Sequence, residues 1–123
     1  GAYAWSDLIE KGTVIAGGSD APVEVGSPII EFYAATVRRD LSGFAGEGWN
    51  IDQRLSRYDA LKLFTQNPAF TSFQEETLGT IESGKLADLT VFNQDLMAIE
   101  DDKILDTKAV MTVVQGEIVF DAR

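Results

Sequence analysis

The chain has 123 residues, with 20 acidic and 10 basic side chains and a formal net charge of −10. It contains no His and no Cys, which excludes a Ser-His-Asp triad, an imidazole or thiolate metal site, a Cys nucleophile and a disulfide framework within these residues. The acidic balance argues against nucleic acid and anionic membrane surfaces as partners, because phosphates need Lys and Arg to neutralise them. At 45% hydrophobic and 24% charged residues, the composition is that of a folded globular protein. No run approaches the ~18 consecutive apolar residues of a membrane helix. No basic segment followed by an apolar core is visible at the start, and with the lack of Cys this gives the expectation of a cytoplasmic protein.

In chain order, Trp5 to Lys11 predicts a short amphipathic helix with Trp5, Leu8 and Ile9 on one side, ended by Gly12. Thr13-Val14-Ile15-Ala16 is an apolar run without alternation, the pattern of a strand buried on both faces. Ser27 and Pro28 predict a helix start, with Ser27 as N-cap and Glu31 in the first turn. Arg38 and Arg39 fall at that helix's carbonyl end and read as favourable end charges rather than an anion site. Gly43, Gly46, Gly48 and Asn50 make Leu41 to Ile51 a loop. Ser56-Arg57-Tyr58-Asp59 is a capping-box variant opening a helix through Gln66, which Asn67-Pro68 is expected to stop; Ala69 to Phe73 predicts a further helical turn. Beyond residue 75 the pattern turns to β: strands at Leu89–Phe92 and Val110–Val114, then a tight turn at Gln115-Gly116-Glu117 into Ile118–Phe120.

Three features invite a chemical reading. Asp20, in Gly17-Gly18-Ser19-Asp20-Ala21-Pro22, follows the C-terminal end of the buried run, where α/β sheets and barrels place ligands. Its carboxylate suits metal coordination or general-base work, or it caps the following turn; the local residues leave both open. Gly17-Gly18-Ser19 lacks the spacing and the Lys of a phosphate loop. The acidic group Asp95, Glu100, Asp101, Asp102 and Asp106 lacks calcium-loop spacing and reads as a solvated loop.

The succession of motifs resembles the amidohydrolase superfamily, most closely the YtcJ-like branch often called amidohydrolase family 3. Gly18-Ser19-Asp20-Ala21-Pro22, then Ser27-Pro28 and the Phe32-to-Arg39 helix, are similar to its last barrel strand and the helix after that strand. Leu55 to Leu61 and Thr65-Gln66-Asn67-Pro68-Ala69 are similar to the segment after the barrel. Gly79 to Leu89, Asp95-Leu96-Met97 and Val114 to Val119 are similar to the return into a small β-sandwich. The ordered series covers nearly the whole chain. Within it, Gly84 is expected to serve a turn, with Lys85 and Asp88 pairing or capping locally.

The resemblance implies an α/β fold: a C-terminal fragment of a (β/α)8 metal-dependent hydrolase barrel, its last strand and following helices, joined to part of a small β-sandwich. The division expected is 1–75 for the barrel end and 76–123 for the sandwich part. In such enzymes an Asp after strand eight contacts the metal and shuttles a proton to the leaving group, and Asp20 matches that position. The resemblance thus implies a parent hydrolase acting on carbon-nitrogen bonds other than peptide bonds of a small-molecule substrate, using a divalent metal, expected to be zinc. The His ligands of that family are missing from this chain, so no metal is expected bound to the fragment and the fragment alone is expected to be inactive. Open strand edges lead to the expectation of self-association. The alternative is a non-catalytic regulatory or partner-binding module; a β-rich carbohydrate or lipid carrier has little support.

Overall fold

The computed structural model describes residues 2–123, the side chain of Glu47 excepted. Helices α1 (Trp5–Glu10), α2 (Pro28–Val37), α3 (Arg57–Leu63) and α4 (Gln66–Thr71) are followed by strands β1 (Leu89–Phe92), β2 (Ala109–Val114) and β3 (Glu117–Asp121). The strands form one antiparallel three-stranded sheet in the order β1-β2-β3. The architecture is therefore mixed α/β, helical first and β after. No helix among the described residues is long and apolar enough to cross a membrane.

The helical half forms because its apolar positions line one side. Phe32, Tyr33, Ala35, Thr36 and Val37 of α2 are all buried. They pack with Leu55, Ala60 and Leu63, and Ile9, Ile29, Leu61 and Phe64 close the periphery. Pro28 at the first helical position places its missing N–H where no intrahelical bond is due. Ser27 precedes it without a side-chain cap bond, so the Pro and Glu31, not the hydroxyl, mark this start. Ser56 does cap α3: its Oγ accepts from the Asp59 backbone N–H at 3.0 Å and donates to Asp59 Oδ2 at 2.6 Å. Buried Gln53 pins α1, accepting from the Asp7 N–H at 3.2 Å and donating to Asp7 Oδ1 at 2.9 Å.

Four expectations are corrected. Thr13–Ala16 joins no ladder among the described residues, and Val14 is 44% exposed rather than buried on both faces. A strand needs a neighbour; here the Gly17 N–H donates to the Leu63 carbonyl and Asn67 Nδ2 donates to the Ile15 carbonyl, so the segment is tied to helices instead. Asn67-Pro68 does not stop a helix but sits in the first turn of α4, where proline's missing N–H costs nothing. Arg38 is not a solvated end charge: it is 7% exposed. The acidic stretch is not merely a solvated loop either. Asp101–Asp106 is a 3-10 turn whose Ile104 is fully buried, and Leu96 joins it in the core with α2 and α3.

That acidic stretch ties the sheet to the helices. Its carboxylates face solvent while Ile99, Ile104 and Leu105 point inward. Arg57 of α3 clamps it, donating to the Leu96 carbonyl and to Asp101 Oδ1, both at 2.8 Å. In the sheet, Val114 pairs with Glu117 across a two-residue turn; Gln115 and Gly116, with φ of 52° and 85°, give the primed geometry that matches strand twist. Lys85 and Asp88 do not pair with each other. Lys85 Nζ donates to Thr80 Oγ1 at 2.6 Å and lies 3.4 Å from Glu82, while Asp88 Oδ1 accepts from the Gln115 N–H at 2.7 Å.

Ile104→Ala is expected to lower stability by about 2–5 kcal/mol, because it empties a fully buried site at the junction of the two halves; chemical denaturation with paired far-UV and tryptophan readouts measures it. Gly79→Ala is expected to cost about 2–4 kcal/mol through left-handed strain and overpacking together. Gly79 has φ +91°, and an added Cβ there meets Ala69 Cβ at 2.8 Å and the Thr65 carbonyl at 3.2 Å. An unchanged denaturation midpoint for Gly79→Ala contradicts this account of the turn.

Candidate functional site

Two places concentrate functional groups, and α2 lies between them in sequence. Asp20 follows the extended segment that the helices hold. Gly17 is required there: a Cβ at this position meets Leu63 Cβ at 2.9 Å and the Phe64 ring at 3.0 Å, so only glycine lets the chain run this close to α3. With Gly17 bound to the Leu63 carbonyl and Ile15 bound by Asn67, the chain turns at Asp20, which adopts φ +56°. The Asp20 carbonyl accepts the Val23 N–H at 2.9 Å and closes the turn, while the residue itself is exposed. A non-glycine residue in the left-handed region carries a cost, and such outliers cluster at functional positions. Asp is among the residues that tolerate this region best, so a turn role is equally compatible with the backbone.

The described residues contain no group of three or more His, Cys, Asp or Glu placed to hold a metal ion. Asp20 offers one carboxylate, whereas a catalytic zinc takes about three protein ligands plus water. The residues present therefore do not fit a complete metal site by themselves. The acidic group at 95–106 forms none: Asp95 accepts the Met97 N–H at 2.8 Å, and Asp101 is engaged by Arg57.

The second place escaped the sequence reading. Arg38, the C-cap of α2, adopts φ +59° and turns its guanidinium back into the protein. It lies between two indoles, with Cζ 5.1 Å from the Trp5 ring centre and 4.9 Å from that of Trp49. Tyr3 closes a third side, edge-on to both at 5.7 Å. A cavity of about 390 Å³ opens here, lined by these aromatics with Phe44 and the Arg38 side chain. Burial pulls the Arg38 pKa below its ordinary value, opposed by the charge of nearby Asp52. Two signals for this arrangement were in the sequence: an arginine where a helix end favours glycine, and the chain's two tryptophans flanking that helix.

The family model described as "Amidohydrolase family" matches residues 1–120. The chain is 36% identical to the YtcJ amidohydrolase of Bacillus subtilis (strain 168) over 120 residues, covering 98% of this chain and 23% of that protein. It is 26% identical over 114 residues to an N-substituted formamide deformylase of Arthrobacter pascens, covering 93% of this chain and 20% of that protein. The chain thus spans roughly a fifth to a quarter of the length of these relatives. In three dimensions it superimposes on an amidohydrolase from Thermotoga maritima MSB8 with a TM-score of 0.72 at 23% identity, covering 97% of this chain and 26% of that one; at that identity the likeness speaks for the fold.

Proposed function

The chain belongs to the amidohydrolase family, and from that premise we propose that it contributes Asp20 to a metal-dependent hydrolase acting on carbon-nitrogen bonds other than peptide bonds. The observation that carries this reading is the family match through residues 1–120 with Asp20 inside it, exposed at a left-handed turn that Gly17 and Asn67 hold in place. In this reading residues 1–75 end a (β/α)8 barrel and residues 76–123 are part of a β-sandwich. The deformylase relative makes N-substituted formamides the first substrate class to try.

A divalent metal, zinc in this proposal, would be held in part by Asp20 and, when bound, would lower the pKa of a water and polarise a carbonyl. Asp20 would serve as the proton-transferring carboxylate, taking a proton from a water and giving it to the departing nitrogen. The turn fixes its backbone, so little ordering remains to be done when substrate arrives.

Asp20→Asn in the full-length protein is expected to lower kcat/KM for an N-substituted formamide by about 10²–10⁴ while leaving the circular dichroism unchanged. The 123-residue chain alone is expected to leave that substrate intact even with added zinc. Full activity in the Asn variant sinks the role given to Asp20. We also propose that the chain on its own self-associates through its sheet, since β3 exposes Ile118, Val119 and Phe120 at 58%, 61% and 47%. Light scattering is expected to show a mass that rises with concentration, and a constant monomer mass contradicts it.

A further inference from the structure

The extended segment before Asp20 joins no strand among the described residues, yet one of its edges is paired. Asn67 Nδ2 donates to the Ile15 carbonyl at 2.8 Å, and the Gly17 N–H donates to the Leu63 carbonyl at 2.9 Å. In an extended chain the C=O of one residue and the N–H of the next residue but one point to the same side. The two bonds therefore bracket Ala16 on one edge, as the donor and acceptor of a single residue do on a parallel neighbouring strand. Here the donor is a side-chain amide and the acceptor is the carbonyl of the last residue of α3. The corner between α3 and α4 stands where a strand would.

That corner is itself held on two sides. Thr65 Oγ1 donates to the Leu61 carbonyl at 2.9 Å and the Thr65 N–H to the Lys62 carbonyl at 3.3 Å, which fastens the start of α4 to the end of α3. From the other side the Gly79 turn lies so close that a Cβ there meets Ala69 Cβ at 2.8 Å and Gln66 Cα at 3.1 Å. Asn67 does nothing comparable for its own helix. Asparagine is favoured where its side chain can bond local backbone, but α4 has no side-chain cap bond and the amide reaches 52 residues back along the chain instead. Beyond the paired Gly17, only Gly18 and Ser19 precede Asp20, whose carbonyl then closes its turn on the Val23 N–H at 2.9 Å. The backbone of Asp20 is thus fixed from both directions, and the anchor before it is a side chain that can be removed.

Resting on the proton-transfer role given to Asp20, we propose that Asn67 is a positioning residue for that carboxylate, acting through the Ile15 carbonyl. A shift of about 1 Å at a reacting group costs up to about 10²-fold in rate. In the full-length protein, with N-butylformamide as substrate, Asn67→Ala is expected to lower kcat by about tenfold to a hundredfold and to leave KM within about threefold. Asn67→Asp, which keeps the shape and removes the donor, is expected to do the same. In the Asp20→Asn background, Asn67→Ala is expected to add no more than about a threefold loss, since the placement of an absent carboxylate no longer matters. Losses that multiply, beside a crippled Asp20→Asn, leave the role of Asp20 standing and overturn this one. Full activity in Asp20→Asn overturns both. A second readout needs no substrate: amide hydrogen exchange and resonance positions of the 123-residue chain by NMR. Asn67→Ala is expected to move the Asp20 and Val23 amide resonances and to leave those of Ile118 and Phe120 in place. Unmoved Asp20 and Val23 resonances overturn the proposal. In the unaltered chain the Gly17 N–H and the Asn67 side-chain N–H are expected to exchange at least about tenfold more slowly than exposed amides. Unprotected exchange at both overturns it whether or not the variants fold.

Discussion

Burial of Ile104 and Leu96 against α2 and α3 holds the two halves of this chain together. The three-stranded sheet buries little of its own: every residue of β3 is exposed, and of its strand residues only Phe92 packs against the core cluster. A sheet of this size needs something to pack on for independent stability. The connection from β1 to β2 supplies it, because the 3-10 turn at Asp101–Asp106 inserts a fully buried isoleucine between strands that face water. The surrounding acids stay in solvent, so the same segment is a highly charged surface and an apolar anchor. Arg57 makes the arrangement directional by capping the Leu96 carbonyl and pairing with Asp101 at once. Its side chain is largely covered, so the pair is screened less than an exposed one.

The same core positions the functional groups at both ends of α2. That helix is ten residues, about 15 Å long. Before it, Gly17 and Ile15 are fastened to α3 and α4, and the turn at Asp20 is placed by those two bonds. After it, the chain reverses at Arg38 and delivers a guanidinium into an aromatic enclosure. Both ends place a polar residue in a left-handed backbone conformation that a glycine would adopt more easily. Tyr3, Asn50, Phe73 and Gln115 share this conformation, so it marks where the chain turns sharply and does not by itself assign a role.

Much of this was legible beforehand where one physical signal dominated. The β strands and their turn were plain, because runs rich in β-branched and aromatic residues flank the Gln115-Gly116 turn. The Ser56 cap followed from the Ser-x-x-Asp spacing and the start of α2 from Pro28. Thr13–Ala16 was misread because an apolar run reports burial potential and says nothing of a neighbour to pair with. Asn67-Pro68 was misread because proline is forbidden within a helix but welcome in its first turn, and the sequence does not number the turns. The 95–106 segment was misread because five carboxylates outweighed two isoleucines and two leucines in any count by residue. Position decides, since those apolar side chains share one side of the segment. The motif singles out Asp20 in the sequence, whereas the enclosure around Arg38 joins residues from Tyr3 to Trp49 that only tertiary contact brings together.

The absence of His and Cys therefore has a narrower meaning than the bare count suggests. It excludes an imidazole or thiolate metal site built from these residues alone. It does not exclude a part in such a centre, because a single carboxylate needs only to be held still at the right place. The chain's investment around Asp20 is of that kind: a glycine that admits close approach, an asparagine that ties down the preceding extended segment, and a turn closed by the aspartate's own carbonyl. None of these touches the carboxylate itself. They fix the backbone and leave the side chain exposed, an arrangement compatible with the proposed proton transfer and with a turn role alike.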